Sequence, residues 1–134
     1  MTGRILLMLL LALAAPACGS RSTFDVENRE TQVNVWLTVP DLCNRGGSVE
    51  ALIYVGPYKV VQGPIVFQQG SPTVNLPPLF IRAGRYDVAA VLDGGRYSVR
   101  EQIDITRESW VQVILSGGRI RIDYSDRQPD PWGR

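Results

Sequence analysis

Hydrophobic and polar residues alternate along most of the chain after residue 32. In the first such segment, residues 33–39, valine and leucine occupy every second position, while Asn34, Trp36 and Thr38 point the other way. This period of two is typical of a half-buried β-strand. The same pattern predicts seven or eight short strands, at residues 33–39, 49–55, 58–61 with a continuation at 65–67, 73–76, 85–92, 96–105, 109–115 and 119–124.

Turn residues separate these segments. Asp93-Gly94-Gly95 and Ser116-Gly117-Gly118 are hairpin signals, because glycine reaches positive φ at little cost. Pro64 predicts a break in its segment and a place at a sheet edge or at a strand that switches sheets. We therefore expect an all-β antiparallel sandwich over residues 33–124, followed by a loose polar tail over residues 125–134.

One segment resembles a known fold family. Residues 81–88, Ile-Arg-Ala-Gly-Arg-Tyr-Asp-Val, resemble the approach to a late strand in immunoglobulin-like and transthyretin-like sandwiches. In those folds the tyrosine can act as a corner residue whose hydroxyl bonds back to the main chain. The resemblance implies this part for Tyr86 and concerns the fold class only.

The N-terminal residues 1–17 have the layout of a secretory signal peptide. Arg4 supplies a positive charge, an apolar run covers residues 5–15, and small residues follow. The run is too short to span a bilayer, which takes roughly 20 apolar residues. Residues 1–17 are therefore predicted to be removed, leaving 134 − 17 = 117 residues, which is the size of one domain.

The end of this segment is more specific. Ala15-Pro16-Ala17-Cys18 resembles the lipobox of bacterial lipoproteins, although that family prefers leucine where Ala15 stands. The resemblance implies a lipid (palmitate) on Cys18 and a tether over residues 18–32. In this family the residue directly after the cysteine sorts the protein between membranes, and Gly19 at that position implies the outer membrane, with the domain facing the periplasm. Ala15-Pro16-Ala17 also fits ordinary signal cleavage. That alternative gives a soluble secreted protein, in which a Cys18–Cys43 disulfide is possible.

Composition excludes several functions. Arg4 is the only charged residue of the signal segment, so 14 − 1 = 13 basic residues face 13 acidic ones in the remainder, and no nucleic-acid partner is expected. The chain has no histidine, which removes Ser-His-Asp and Cys-His catalysis and histidine-based zinc sites. We expect no enzyme activity, no cofactor and no metal site, and we interpret Asp123 and Asp126 as solvated charges at a strand end.

Two groups of side chains are candidates for a binding surface. Trp36 and Trp110 each point away from the core-facing residues of their strands. Together they would form a flat platform for a sugar or a partner protein, unless they pack in a second layer or under the tail. Four arginines would grip an anion if their two strands were neighbours; they are Arg96, Arg100, Arg119 and Arg121. Cys43 is interpreted as a small, semi-buried residue rather than a reactive thiol.

These observations favour a non-catalytic, lipid-anchored envelope protein that serves as a structural or protein-interaction module. The alternative is a ligand-binding module for a glycan or an anionic small molecule, using the tryptophans or the arginines. A free sheet edge near residues 58–67 would favour the first function, because an exposed strand can accept a partner strand.

Overall fold

The computed structural model describes residues 30–134, which form two packed β-sheets. Nine strands and a single 3₁₀ turn at Pro40–Leu42 occur in this part of the chain. The strands are β1 (Glu30–Thr38), β2 (Gly47–Val55), β3 (Tyr58–Phe67), β4 (Thr73–Asn75), β5 (Leu79–Arg82), β6 (Gly84–Leu92), β7 (Tyr97–Ile105), β8 (Ser109–Ser116) and β9 (Arg119–Ser125).

The five-stranded sheet is built around β1. Along one edge of β1, β5 pairs with the first half of the strand and β4 with the second half. Along the other edge, β8 pairs with β1, and β9 pairs with β8. Strands β1 and β8 run parallel, with Val33 opposite Ser109. The expectation of a wholly antiparallel sandwich is therefore wrong at this pair. Its two strands lie far apart in sequence, and local alternation carries no information on their relative direction.

The four-stranded sheet has the order β3-β2-β6-β7 and is antiparallel throughout. The alternating apolar side chains of both sheets meet between them and exclude water, which supplies the main favourable term in folding. Fully buried members of this core include Leu37, Ile53, Val88, Ile105 and Val113. The predicted inward face of β1 is confirmed.

Two strand predictions need correction. Strand β3 is continuous through Pro64, which was expected to break it, and β5 was not predicted as a strand of its own. The first strand begins at Glu30 rather than Val33, so part of the predicted tether lies in the sheet. Glu101 interrupts the apolar face of β7, and it is exposed on this edge strand.

Tyr86 makes the corner hydrogen bond that the sequence resemblance implies. Its hydroxyl donates to the Arg82 carbonyl oxygen at 2.7 Å and so ties the start of β6 to the end of β5. Burial of the ring is the main cause that raises the pKa of this hydroxyl, which therefore remains a donor at neutral pH. The bond fixes the bend by which the chain passes from one sheet to the other.

Replacing Tyr86 by phenylalanine is expected to lower the free energy of unfolding by about 1 kcal/mol, because one hydrogen bond is lost while the ring stays. Urea denaturation would measure the difference. Tyr97→Phe is the matched control, since that half-buried tyrosine donates no hydrogen bond within the described part of the chain. Equal effects of the two substitutions would contradict the corner role of Tyr86.

Candidate interaction surfaces

The last residues fold into a compact turn, residues 130–133, called the C-terminal turn below. Gly133 N donates to the Asp130 carbonyl oxygen, and Trp132 N donates to the Asp130 carboxylate, each at 3.0 Å. Pro131 presets the φ angle required at its position, and the Asp130 side chain imitates a main-chain turn. The polar, proline-rich composition predicts a loose tail here, whereas the structure shows a segment with its own hydrogen bonds.

Polar side chains from several strands hold the main-chain carbonyls of this turn. Gln112 Nε2 donates to the Asp130 carbonyl oxygen at 2.9 Å, and Gln112 is only 2% exposed. The Thr73 hydroxyl donates to the Pro131 carbonyl oxygen, and the Arg121 guanidinium donates to that of Gly133. The outer face of the five-stranded sheet therefore binds mainly the main-chain carbonyl oxygens of the turn. These are groups that any residue with the same backbone geometry would present.

The polar groups beneath the turn form a single hydrogen-bonded chain. The second Gln112 amide hydrogen goes to Thr38 Oγ1 at 2.9 Å, and Thr38 lies 2.8 Å from Thr73 Oγ1. Because the Thr73 proton is directed to Pro131, Thr38 must donate to Thr73. Every buried side-chain polar atom in residues 30–134 has a partner, so hydrogen bonds compensate the desolvation of these groups under the turn.

The turn also covers apolar surface. Trp36 and Ile114 are 7% and 1% exposed, yet neither belongs to the core between the sheets. They lie on the outer face with Gln112 and Thr38. A Cβ on Gly133 would come within 3.2 Å of the Ile114 side chain, and Gly133 has a φ of +76°. The positive φ favours glycine at this position, and any larger residue would also crowd Ile114.

Asp130 makes the turn sensitive to acid. The hydrogen bond from Trp132 N lowers the pKa of this carboxyl most, burial opposes the shift, and Arg134, whose Nε lies 3.0 Å away, lowers it further. The folded-state pKa thus lies below the unfolded-state pKa of about 4. The contribution to stability is present above pH 4 and disappears as the pH falls through the lower, folded-state value.

We accordingly expect the main-chain amide resonance of Trp132 to shift as the pH is lowered below 4 and Asp130 becomes protonated. An NMR titration would follow this shift. Asp130→Asn keeps an acceptor oxygen for Trp132 N but does not titrate, so its Trp132 resonance should stay constant. A shift of equal size in the variant would contradict the assignment to Asp130.

The outer face of the four-stranded sheet is different, because no other described segment covers it. Its centre carries the half-buried side chains of Leu52, Ala89 and Val91. Leu52 lies opposite Val91, and Ala89 lies between Tyr54 and Arg100 in the strand register. We call the outward residues Leu52, Tyr54, Ala89, Val91 and Arg100 the open face.

The open face is concave. One depression of about 500 Å³ is bordered by Leu52, Gly63 and Val91, and a second of about 430 Å³ by Tyr54, Ala89 and Arg100. A third, of about 300 Å³, lies between β6 and β7. Small side chains at the centre and charged ones at the rim produce this shape. Within the rim, Arg85 Nε lies 2.8 Å from the Asp104 carboxylate. Such an apolar centre with a charged rim is typical of protein-interaction patches.

Strand β3 borders the open face, and no strand of residues 30–134 pairs with its other side. Asp93 N donates to the Glu50 carbonyl oxygen, so Glu50 directs its main-chain groups towards β6. Its partner Pro64 must therefore direct its nitrogen outward, away from β2. This explains why the strand continues through a proline, and it removes a donor from the centre of the free edge. Val66, 62% exposed, lies nearer the end of the strand.

The candidate residues from the sequence are not brought together. Trp36 is buried and Trp110 half-buried, so the two do not form an exposed platform. The condition for the arginine cluster is not met, because β7 and β9 belong to different sheets and do not pair. The first arginine pair, Arg96 and Arg100, lies at the four-stranded sheet, and the second, Arg119 and Arg121, lies on the five-stranded sheet. Arg96 lies over the Tyr97 ring at 5.5 Å.

The remaining predicted sites have ordinary surroundings. Cys43 is half-buried after the 3₁₀ turn, and Cys18 lies outside the described residues. The carboxylate of Asp123 lies 3.4 Å from Arg121, and that of Asp126 lies 3.7 Å from Arg107. No group of three or more metal-ligating side chains occurs among residues 30–134.

Sequence reasoning missed the C-terminal turn and the site beneath it. The signal was present, since Asp-Pro-x-Gly is a turn sequence, but its position in a polar tail gave no hint of a partner. Within residues 30–134 no helix is long and apolar enough to cross a bilayer. No family model matches the chain, and no curated protein is significantly similar to it.

Proposed function

We propose that the chain is a non-catalytic bacterial cell-envelope lipoprotein that acts as a structural or protein-interaction module. The anchor would be a lipid on Cys18, and the partner would be another envelope protein that binds the open face. One observation supports this function above the others. Within residues 30–134, the C-terminal turn contacts the outer face of one sheet, and no described segment covers the concave outer face of the other sheet.

The domain type belongs to the same proposal. The Tyr86–Arg82 hydrogen bond at the bend between the sheets supports an immunoglobulin-like or transthyretin-like sandwich. Folds of this class commonly serve as binding modules on surfaces. The lack of histidine in the sequence supports a function without acid–base catalysis.

The anchor and the open face would work together. Strand β1 begins at Glu30, so residues 18–29 would link the lipid to the domain with a reach of at most about 40 Å. A partner on the same membrane would lie within that distance. Anchoring would therefore raise the effective concentration of the two proteins without adding any contact.

The anchor is tested by the intact mass of the protein in envelope fractions, in wild type and in Cys18→Ala. We expect a diacyl or triacyl mass on Cys18, and we expect the substitution to abolish both this mass and membrane retention. An unlipidated mass two hydrogen atoms below that of the reduced chain would show a Cys18–Cys43 disulfide in a soluble secreted protein and would overturn the anchor.

The open face is tested separately by photo-crosslinking in intact cells. A photoreactive side chain replaces Leu52 or Val91, and the control replaces Gln69, an exposed residue of the β3–β4 loop. We expect the same protein adduct from both open-face positions and none from the control. Adducts that arise equally at Gln69 would remove the case for this surface.

The ligand-binding alternative has weaker support. It relied on Trp36 with Trp110, or on the four arginines acting together. Trp36 is 7% exposed, and the two arginine pairs lie on different sheets. We therefore rank it second.

A further inference from the structure

We infer that the outer face of the five-stranded sheet is a peptide-binding site for the C-terminal turn, and that a second copy of this chain can supply the turn. In the structure the chain's own residues 130–133 occupy the site. The same contacts are available to an identical turn that arrives from another molecule, because none of them depends on chain connectivity.

The site is built to receive a ligand. Gln112 and Thr38, 2% and 0% exposed, direct their polar groups to the turn or to the side chains that hold it. Thr73 and Arg121 add donors to two further carbonyls. Donors that are fixed by buried neighbours bind a carbonyl with little loss of side-chain entropy.

The ligand is equally well defined. The turn has its own internal hydrogen bonds, from Gly133 N and from Trp132 N to Asp130. It is therefore a preorganised unit, and Gly133 sets its specificity because its φ of +76° favours glycine and a Cβ there would crowd the Ile114 side chain at 3.2 Å. The chemical class of the ligand is an Asp-Pro-x-Gly turn peptide.

The connection between the turn and the sheet is short. Strand β9 ends at Ser125, and residues 126–129 lead to Asp130; the first three of these are exposed. A short connection to a docked segment is the usual hinge for exchange between identical chains. The closed monomer and the exchanged dimer would contain the same turn contacts and would differ only in the hinge.

Shortening the hinge tests the inference in the full chain. Deleting Arg127 and Gln128 reduces its reach by about 7 Å, which prevents the turn from reaching its own site. We expect this variant to sediment as a dimer. The matched control, Arg127→Gly with Gln128→Gly, retains the hinge length and should sediment as a monomer.

Two further measurements assign the dimer to the turn. Removal of residues 129–134 from the hinge-shortened variant should return it to a monomer. An excess of the peptide of residues 128–134 should dissociate the dimer, and the same peptide with Gly133→Ala should be at least tenfold weaker. A hinge-shortened variant that stays monomeric, a dimer that survives removal of the turn, or equal potency of the two peptides would overturn the inference.

Discussion

Replacing Leu37 by alanine is expected to lower the free energy of unfolding by about 2–5 kcal/mol. Leu37 is fully buried in β1, the strand that pairs with β4 and β5 on one side and with β8 on the other. Truncation removes buried apolar surface and leaves a cavity that the surrounding sheet cannot fill by a small shift. Since whole domains are stable by only about 5–15 kcal/mol, the effect is a large fraction of the total.

Leu52→Ala is the matched control for this prediction. The same chemical change on the half-buried open face should cost about 1 kcal/mol or less, because solvent fills the space that is vacated. Chemical denaturation of both variants gives the comparison. If Leu52→Ala were as destabilising as Leu37→Ala, the open face would be part of the core and the proposed docking surface would be lost with it.

Gly56→Ala is expected to destabilise the protein by about 2–4 kcal/mol, the second large effect. Gly56 has a φ of +57°, and an added Cβ would lie 2.7 Å from Tyr86 Cδ1. Its amide also donates to the Asp87 carbonyl oxygen at 2.7 Å, which restricts backbone movement away from the ring. The substitution would therefore combine backbone strain with a steric clash at the corner tyrosine.

Gly94→Ala separates these two contributions. Gly94 has a similar φ of +64°, but an added Cβ would meet nothing within 4 Å. It should show the backbone cost alone, about 1 kcal/mol. Thermal or urea unfolding of the two variants under identical conditions gives the difference. Equal losses would mean that the Tyr86 ring can move aside, and that the corner is less rigid than its hydrogen bond indicates.

The strands were predictable where one face is buried. The segments of β1, β2 and β6 alternate over seven or more residues, so the inward side chains could be named from the sequence. Strand β5 lies between two prolines and the Ala83-Gly84 pair and has only four residues. This length is too short for the alternation of apolar and polar residues to be recognised. The continuity of β3 depends on the outward direction of Pro64, which follows from pairing and not from composition.

The surfaces were less predictable than the core. Alternation correctly directs Trp36 away from the valines of β1, but it cannot tell whether solvent or another segment lies there. The C-terminal turn contacts this outer face through main-chain carbonyls, which leave no apolar pattern in residues 130–133. The placement of the two arginine pairs on different sheets was unpredictable for a related reason. Contacts between distant parts of the chain decide which strands share a sheet.

The parallel pairing of β1 with β8 also sets how much of the chain must be present before the sandwich can be completed. Val33 pairs with Ser109, which lies 109 − 33 = 76 residues later. Without that partner, one side of β1 is an unpaired strand edge, which can pair with other chains. Chains that terminate before residue 109 would keep this edge permanently, so early stop codons should yield aggregating fragments rather than smaller folded domains.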